Sequence, residues 1–371
     1  MMLNNNVVLT LFLTGCAGVD YDLNGERPDV NPGDITECPF SAVSETKISA
    51  YDCNPVFQEE AGDVGSVGFY ATDVMGHPFY QMWYISADGP EEFGSYKMNY
   101  AVSSDGTNWK THENNPLFEA DSSAWDKDSV AGQVIVWDPI ESQYVMAYQG
   151  FTLADPNDFF DQGIWGLGVA TSDNGVDWKR SSSPAINFND FDALLGGDQI
   201  SPCWPLTITL NNRGAFRGYI AAAKSDEALF GEAACHMYAM TGVDERTWII
   251  DQNTPVFEAG TDYDSKGFTS ASVVEFKDKL YMFYIGFTDW EQEESYQSAR
   301  NMTLNLATSD DDGETWIRDP NNPLPISTSG KVGDVAAQVI GDRIHLWVTD
   351  DYEGKQAVGY FLYEPTIDPH E

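Results

Sequence analysis

The stretch Trp109-Lys110-Thr111-His112-Glu113-Asn114-Asn115-Pro116-Leu117-Phe118 carries two landmarks, a tryptophan and a proline followed by apolar residues. Both return at a near-constant interval. The tryptophan recurs as Trp178, Trp248 and Trp316, at steps of 69, 70 and 68 residues. The proline recurs in Ser183-Pro184-Ala185-Ile186, Thr254-Pro255-Val256-Phe257 and Asn322-Pro323-Leu324-Pro325. A further copy, Asn54-Pro55-Val56-Phe57, lies near the start without a matching tryptophan. Five prolines at steps of 61, 68, 71 and 68 residues mark an internal repeat.

Each period reads as β-structure. Phe79-Tyr80-Gln81-Met82-Trp83-Tyr84, Tyr144-Val145-Met146-Ala147-Tyr148 and Leu280-Tyr281-Met282-Phe283-Tyr284 are runs of strand length, separated by Gly, Asp and Asn clusters. No apolar 3.6-residue period extends over a dozen residues. A unit of about 68 residues fits four antiparallel strands with loops, one blade of a propeller, and exceeds the 40–45 of a WD-type blade. The expected blades are 58–118, 119–187, 188–257 and 258–325. A last segment, 330–365, has room for three strands, around Val335–Ile340, Arg343–Val348 and Ala357–Leu362. Its fourth is expected from residues 47–57, so the chain ends meet in one blade, which closes the ring and removes an exposed sheet edge. The expectation is an all-β, five-bladed propeller over residues 38–371.

Three blades carry a Ser-Asp turn before the tryptophan: Ser104-Asp105-Gly106, Ser172-Asp173-Asn174-Gly175 and Ser309-Asp310-Asp311-Asp312-Gly313. Asp accepts hydrogen bonds from the turn backbone and Gly supplies positive φ, so these turns read as structural.

Chemistry is expected at one mouth of the propeller, where the inner strands begin. An Asp recurs there in every blade: Asp63, Asp128, Asp198, Asp264 and Asp334. Close carboxylates raise one another's pKa, so one can serve as acid while another stays a base, as glycosidic bond cleavage requires. The structural reading of the same residues is a cap on each turn. A ring of aspartates is also a set of oxygen ligands for Ca²⁺, although no cofactor is required. Trp204, Phe268 and Trp125 are candidate platforms for sugar rings, with Asp264 and Asp334 as binding residues. His236 and His345 are further candidates near the channel.

The five-blade count, the Trp to Asn-Pro-Leu-Phe rhythm, and Trp125-Asp126 followed by Val134-Ile135 and Val145-Met146-Ala147-Tyr148 resemble the glycoside hydrolase superfamily of families 43 and 32 over residues 40–365. The resemblance implies an oligo- or polysaccharide substrate, Asp63 as base or nucleophile, and Asp128 or Asp198 assisting. Val64, not Pro, follows Asp63, and Cys203 is preceded by Pro202 where family 32 has Glu. With no Glu on the third inner strand, the acid is expected to be Glu232 from a neighbouring loop or an Asp, or to be missing. The alternative is a carbohydrate-binding propeller without catalysis.

Val7 to Leu13 is too short to span a bilayer, and Leu13-Thr14-Gly15-Cys16 resembles a bacterial lipobox. That implies a signal peptide over 1–16, lipidation of Cys16, an acidic tether over 17–37, and an outer-membrane lipoprotein facing the periplasm or the cell surface. Cys38, Cys53, Cys203 and Cys235 remain, an even number suited to two bridges in an oxidising compartment. Proximity favours Cys38–Cys53 and Cys203–Cys235 among three pairings. With 59 Asp and Glu against 19 Lys and Arg, the net charge of −40 repels phosphate backbones, so nucleic acid is excluded as a partner. A monomer is expected. Arg27, Arg180, Arg213, Arg217, Arg246, Arg300, Arg318 and Arg343 include none on an expected inner strand, which argues against a sialidase. No Gly-x-Ser-x-Gly elbow, P-loop or dinucleotide fingerprint occurs.

Overall fold

The computed structural model describes residues 38–43, 46–59, 64–74, 77–87, 96–155, 158–196, 200–210, 215–224, 234–242, 247–260, 262–292, 297–327 and 329–365. They form five antiparallel sheets arranged as the blades of a propeller. Blade I runs Val64–Val74, His77–Ala87, Tyr96–Ser103 and Lys110–Thr111 from the inside outwards. Blade II follows with Ser129–Asp138, Gln143–Asp155, Asp158–Ser172 and Lys179–Arg180. Blade III has Ile200–Leu210, Phe216–Lys224, His236–Gly242 and Trp248–Ile250, and blade IV has Gly267–Phe276, Lys279–Phe287, Thr303–Ser309 and Ile317–Arg318. Blade V draws Val335–Ile340, Arg343–Tyr352 and Lys355–Tyr363 from the C-terminal side, and Ile48–Tyr51 and Phe40–Ala42 from the N-terminal side. Ile48–Tyr51 pairs antiparallel with Lys355–Tyr363.

The proline motif does the same work in every blade. The residue after each proline donates its N–H to the third strand: Leu117 to Met98 O, Ala185 to Leu167 O, Val256 to Met237 O, Leu324 to Leu304 O and Val56 to Val358 O, at 2.7–2.8 Å. Where Asn precedes the proline, its side-chain amide imitates a strand backbone. Asn115 accepts from Tyr100 N at 2.9 Å and donates to Tyr100 O at 3.1 Å. Asn322 does this to Leu306, and Asn54 to Tyr360. The orphan copy at 54–57 is therefore the outer cap of blade V.

The second strands are buried on both faces, which is why they read as unbroken aromatic runs. Tyr80 to Ile85 are all buried. Gln81 is tolerated there because Tyr144 and Tyr100 satisfy its amide at 2.7 and 2.8 Å. The apolar residues form five clusters, each between two adjacent blades. One, for example, joins Phe69, Met82 and Tyr84 of blade I to Trp347, Val358 and Tyr360 of blade V. Fully burying one such side chain contributes roughly 1.5–3 kcal/mol, so the blades depend on their neighbours.

The Ser-Asp turns lock these interfaces. Ser103, in place of the expected Ser104, accepts through Oγ from Gly106 N, Ser172 Oγ accepts from Gly175 N and Ser309 Oγ from Gly313 N, each at 2.9 Å. Asp105 Oδ1 accepts the N–H groups of Thr107 and Asn108 at 2.8 Å, and Asn174 fills the same role in blade II. Burial opposes ionisation of Asp105, but the bonds from Asn108, Thr107 and Ser103 outweigh it and hold its pKa below the usual carboxylate value. The carbonyl left exposed by the tight turn then meets the preceding blade: Trp83 Nε1 donates to Gly175 O at 2.7 Å, and Trp347 Nε1 to Gly106 O at 3.2 Å. A hairpin in blade IV, Asp289–Gln292 with Gln297–Arg300, departs from the four-strand plan and was not legible as strand.

Candidate active site

Every blade begins with its inner strand, so the N-terminal ends of all five face one mouth. The first paired residues are Val64, Ser129, Ile200, Gly267 and Val335, opposite Ser86, Phe151, Lys224, Phe287 and Val348. The residues immediately before them in sequence are Asp63, Asp128, Gln199, Lys266 and Asp334. In blades III and IV the expected residues, Asp198 and Asp264, stand two and three positions before the first paired residue in sequence. Lys266 lies directly before the fourth inner strand, two residues after Asp264. Near this end the inner strands of blades I to IV carry β-bulges, between Val64 and Val67, Ala131 and Val134, Pro202 and Trp204, and Phe268 and Ser270. Bulges re-aim side chains and shift the count by a residue or more.

Asp128 is the accessible carboxylate of the described set. Its side chain is 31% exposed, Lys127 Nζ lies 3.9 Å away, and its N–H donates to Phe151 O at 3.2 Å. Asp334 is buried: its Oδ1 accepts the Ser270 hydroxyl of blade IV and the N–H of Val335 at 2.8 Å. It ties blade IV to blade V. Asp264 is 1% exposed and accepts from Tyr284 Oη, Arg318 Nε and Gly260 N, each at 2.9 Å. Its oxygens are already engaged, so it is not placed to receive a substrate. Burial, then the charge of Asp264, pushes the Tyr284 hydroxyl pKa up, so this phenol stays a donor.

Two of the expected sugar platforms, Phe268 and Trp125, turn inwards. Phe268 is wholly buried, stacked 5.2 Å from Phe257 and 5.4 Å edge-on to Tyr284. Trp125 is 8% exposed and lies against Tyr148 at 6.0 Å. Neither offers a free face. Trp204 sits in the inner strand of blade III, opposite Ala221. Asp63, Asp198, Glu232 and Cys16 lie outside the described residues, as do residues 1–16 and 17–37.

Both bridges are formed, Cys38–Cys53 and Cys203–Cys235. Cys203 occupies the bulge of the third inner strand. Cys235 is pressed beneath Gly267, whose φ of +116° and lack of a side chain are both required, since a Cβ would stand 2.5 Å from Cys235 O. The bridge therefore braces the mouth at the blade III–IV boundary. His236 Nδ1 accepts from Ala259 N at 3.0 Å. His345 lies 2.5 Å from Tyr360 Oη, and burial lowers its pKa to about 4, leaving it neutral at pH 7. Among the described residues no three His, Cys, Asp or Glu side chains are grouped to hold a metal ion.

One constellation escaped the sequence reading. Asp126, wholly buried, is gripped by Arg180 Nη1, 2.7 Å from both carboxylate oxygens, and by Tyr148 Oη at 2.8 Å. Arg180 also donates to Glu119 O at 2.6 Å and lies 4.3 Å over the Phe118 ring. Arg318 repeats this two blades later with Asp264, Tyr284, Glu258 O and Phe257. A signal existed: Arg180 and Arg318 each stand two residues after a repeat tryptophan, and Tyr148-Gln149-Gly150 matches Tyr284-Ile285-Gly286. The partner aspartate is set apart by 54 residues, which a local reading does not connect.

No family model matches the sequence. No curated protein matches it either. Solved structures do. A glycosyl hydrolase from Bacteroides ovatus is 17% identical, with a TM-score of 0.57 over 88% of this chain and 94% of that one. A glycoside hydrolase assigned as putative, from Parabacteroides distasonis, is 17% identical, with a TM-score of 0.59 over 89% and 97%. A thermostable family-43 glycoside hydrolase is 14% identical, with a TM-score of 0.57 over 84% and 90%. The chain shares the five-bladed fold of these glycoside hydrolases. The resemblance drawn from its repeat thus holds at the level of the fold.

Proposed function

We propose that this chain is a glycoside-hydrolase-like propeller that cleaves glycosidic bonds of an oligo- or polysaccharide at the mouth where its inner strands begin. Asp63 is the base or nucleophile, Asp128 or Asp198 assists, and Glu232 is the acid. The observation that carries the reading is the partly exposed Asp128 at the start of the second inner strand, at the register that Asp63 holds in sequence beside Val64. The fold shared with glycoside hydrolases supports it. A second reading, carbohydrate binding without cleavage, is favoured by one feature: the third inner strand, Ile200–Leu210, contains no acidic residue. The test is product release from arabino-, xylo-, fructo-, galacto- and manno-oligosaccharides by wild type and Asp63→Asn. Cleavage by wild type that is lost in a folded Asp63→Asn protein supports the assignment. Cleavage that survives moves the base elsewhere on the ring, and binding without cleavage favours the second reading.

The chain is also proposed to be anchored in the outer membrane through a lipidated Cys16, on the strength of Leu13-Thr14-Gly15-Cys16. Metabolic labelling with an alkyne fatty acid should mark wild type and leave Cys16→Ser unlabelled; equal labelling of both would refute the anchor.

A further inference from the structure

The two arginine clamps are built alike but stand before different residues. In blade II the clamped Asp126 is two residues from Asp128; in blade IV the clamped Asp264 is two residues from Lys266. A buried carboxylate must be paired and hydrogen-bonded, and Asp126 meets this through Arg180 Nη1, which reaches both of its oxygens. Arg180 itself is fixed by Glu119 O and the face of Phe118. The backbone between clamp and mouth is tied to the second strand at both ends. Trp125 O accepts the Thr152 hydroxyl at 2.5 Å, and Asp128 N–H is bonded to Phe151 O at 3.2 Å. Gly150 lets the segment lie flat on the second strand, because a Cβ there would stand 2.8 Å from Asp126 Cβ.

The geometry assigns Arg180, acting through Asp126 and Tyr148, as the positioning residue for Asp128. The clamp carries the outer proline motif of blade I, the second strand of blade II and the mouth segment as one rigid unit, and so sets where the Asp128 carboxylate stands. The blade IV clamp, built from the same parts, serves packing alone. This rests on the reading of Asp128 as a working carboxylate.

The blade IV clamp supplies a matched control. Arg180→Lys and Arg318→Lys each keep the charge and lose the planar fork. Both variants of the full chain are compared with wild type on the oligosaccharide that wild type cleaves, by thermal unfolding, and by amide exchange. Both should lose similar thermal stability. Arg180→Lys should lower kcat by about ten-fold or more, with KM changed by less than about two-fold and a displaced pH–rate profile, whereas Arg318→Lys should keep kcat within about two-fold. Equal loss of kcat in both variants, or none in Arg180→Lys, overturns the assignment. If wild type cleaves nothing, the hydrolase reading fails by itself, and exchange at the Asp128 amide decides the positioning role. Exchange accelerated by about ten-fold in Arg180→Lys, and not in Arg318→Lys, upholds it; an unchanged Asp128 amide overturns it.

Discussion

Gly175 and Gly132 both hold φ in the left-handed region, at 78° and 58°, yet their surroundings differ. A Cβ on Gly175 would stand 2.8 Å from the Trp83 ring, while one on Gly132 would meet nothing within 4 Å. Gly132→Ala should therefore cost only backbone strain, about 1–2 kcal/mol. Gly175→Ala adds overpacking at the lock between blades I and II and should cost about 1–3 kcal/mol more. Urea unfolding of the two variants checks this, and equal losses would show that the Trp83 contact yields freely. The Ser-Asp turns were legible because every partner lies within six residues. Asp126 was not: spacing alone marked Asp128 and Asp264 as equivalents, whereas packing matches Asp264 to Asp126. The bulges and the drifting period hide a shift of two residues.

At the scale of elements, strands and disulfides respond to different reaches of the chain. Second strands declared themselves as aromatic runs, since burial on both faces leaves no polar alternation. The outer strands, two or three residues in blades I to IV, were located by the tryptophan and proline landmarks instead. The Cys203–Cys235 bridge spans 32 residues, between the inner and third strands of blade III. Closing a loop of that size in the unfolded chain is worth about 3–4 kcal/mol. Replacing both cysteines by serine should lower stability by about that amount, measured by urea unfolding without reductant; a loss below about 1 kcal/mol would mean that packing of Cys235 under Gly267 already holds the two strands together.

Across the whole molecule, each apolar core belongs to a pair of blades, so no blade is complete without its neighbours, and the ring leaves few free sheet edges. A net charge of −40 opposes compaction, and the described cations are drawn into specific pairs such as Arg180–Asp126, Arg318–Asp264 and Arg217 with both Asp251 and Glu314. By itself, the sequence determined the repeat, the number of blades, the side on which inner strands begin and the favoured cysteine pairs. These follow from period, local turn chemistry and short chain separation. Asp126, Asp128, Asp264 and Asp334 look alike along the chain. Tertiary structure alone decided which of these acidic residues stay partly exposed and which are buried among donors. Their surroundings depend on whether a guanidinium, a phenol or a hydroxyl from a strand far away in sequence comes within about 3 Å, the range of a hydrogen bond, and on how deeply the fold buries each one.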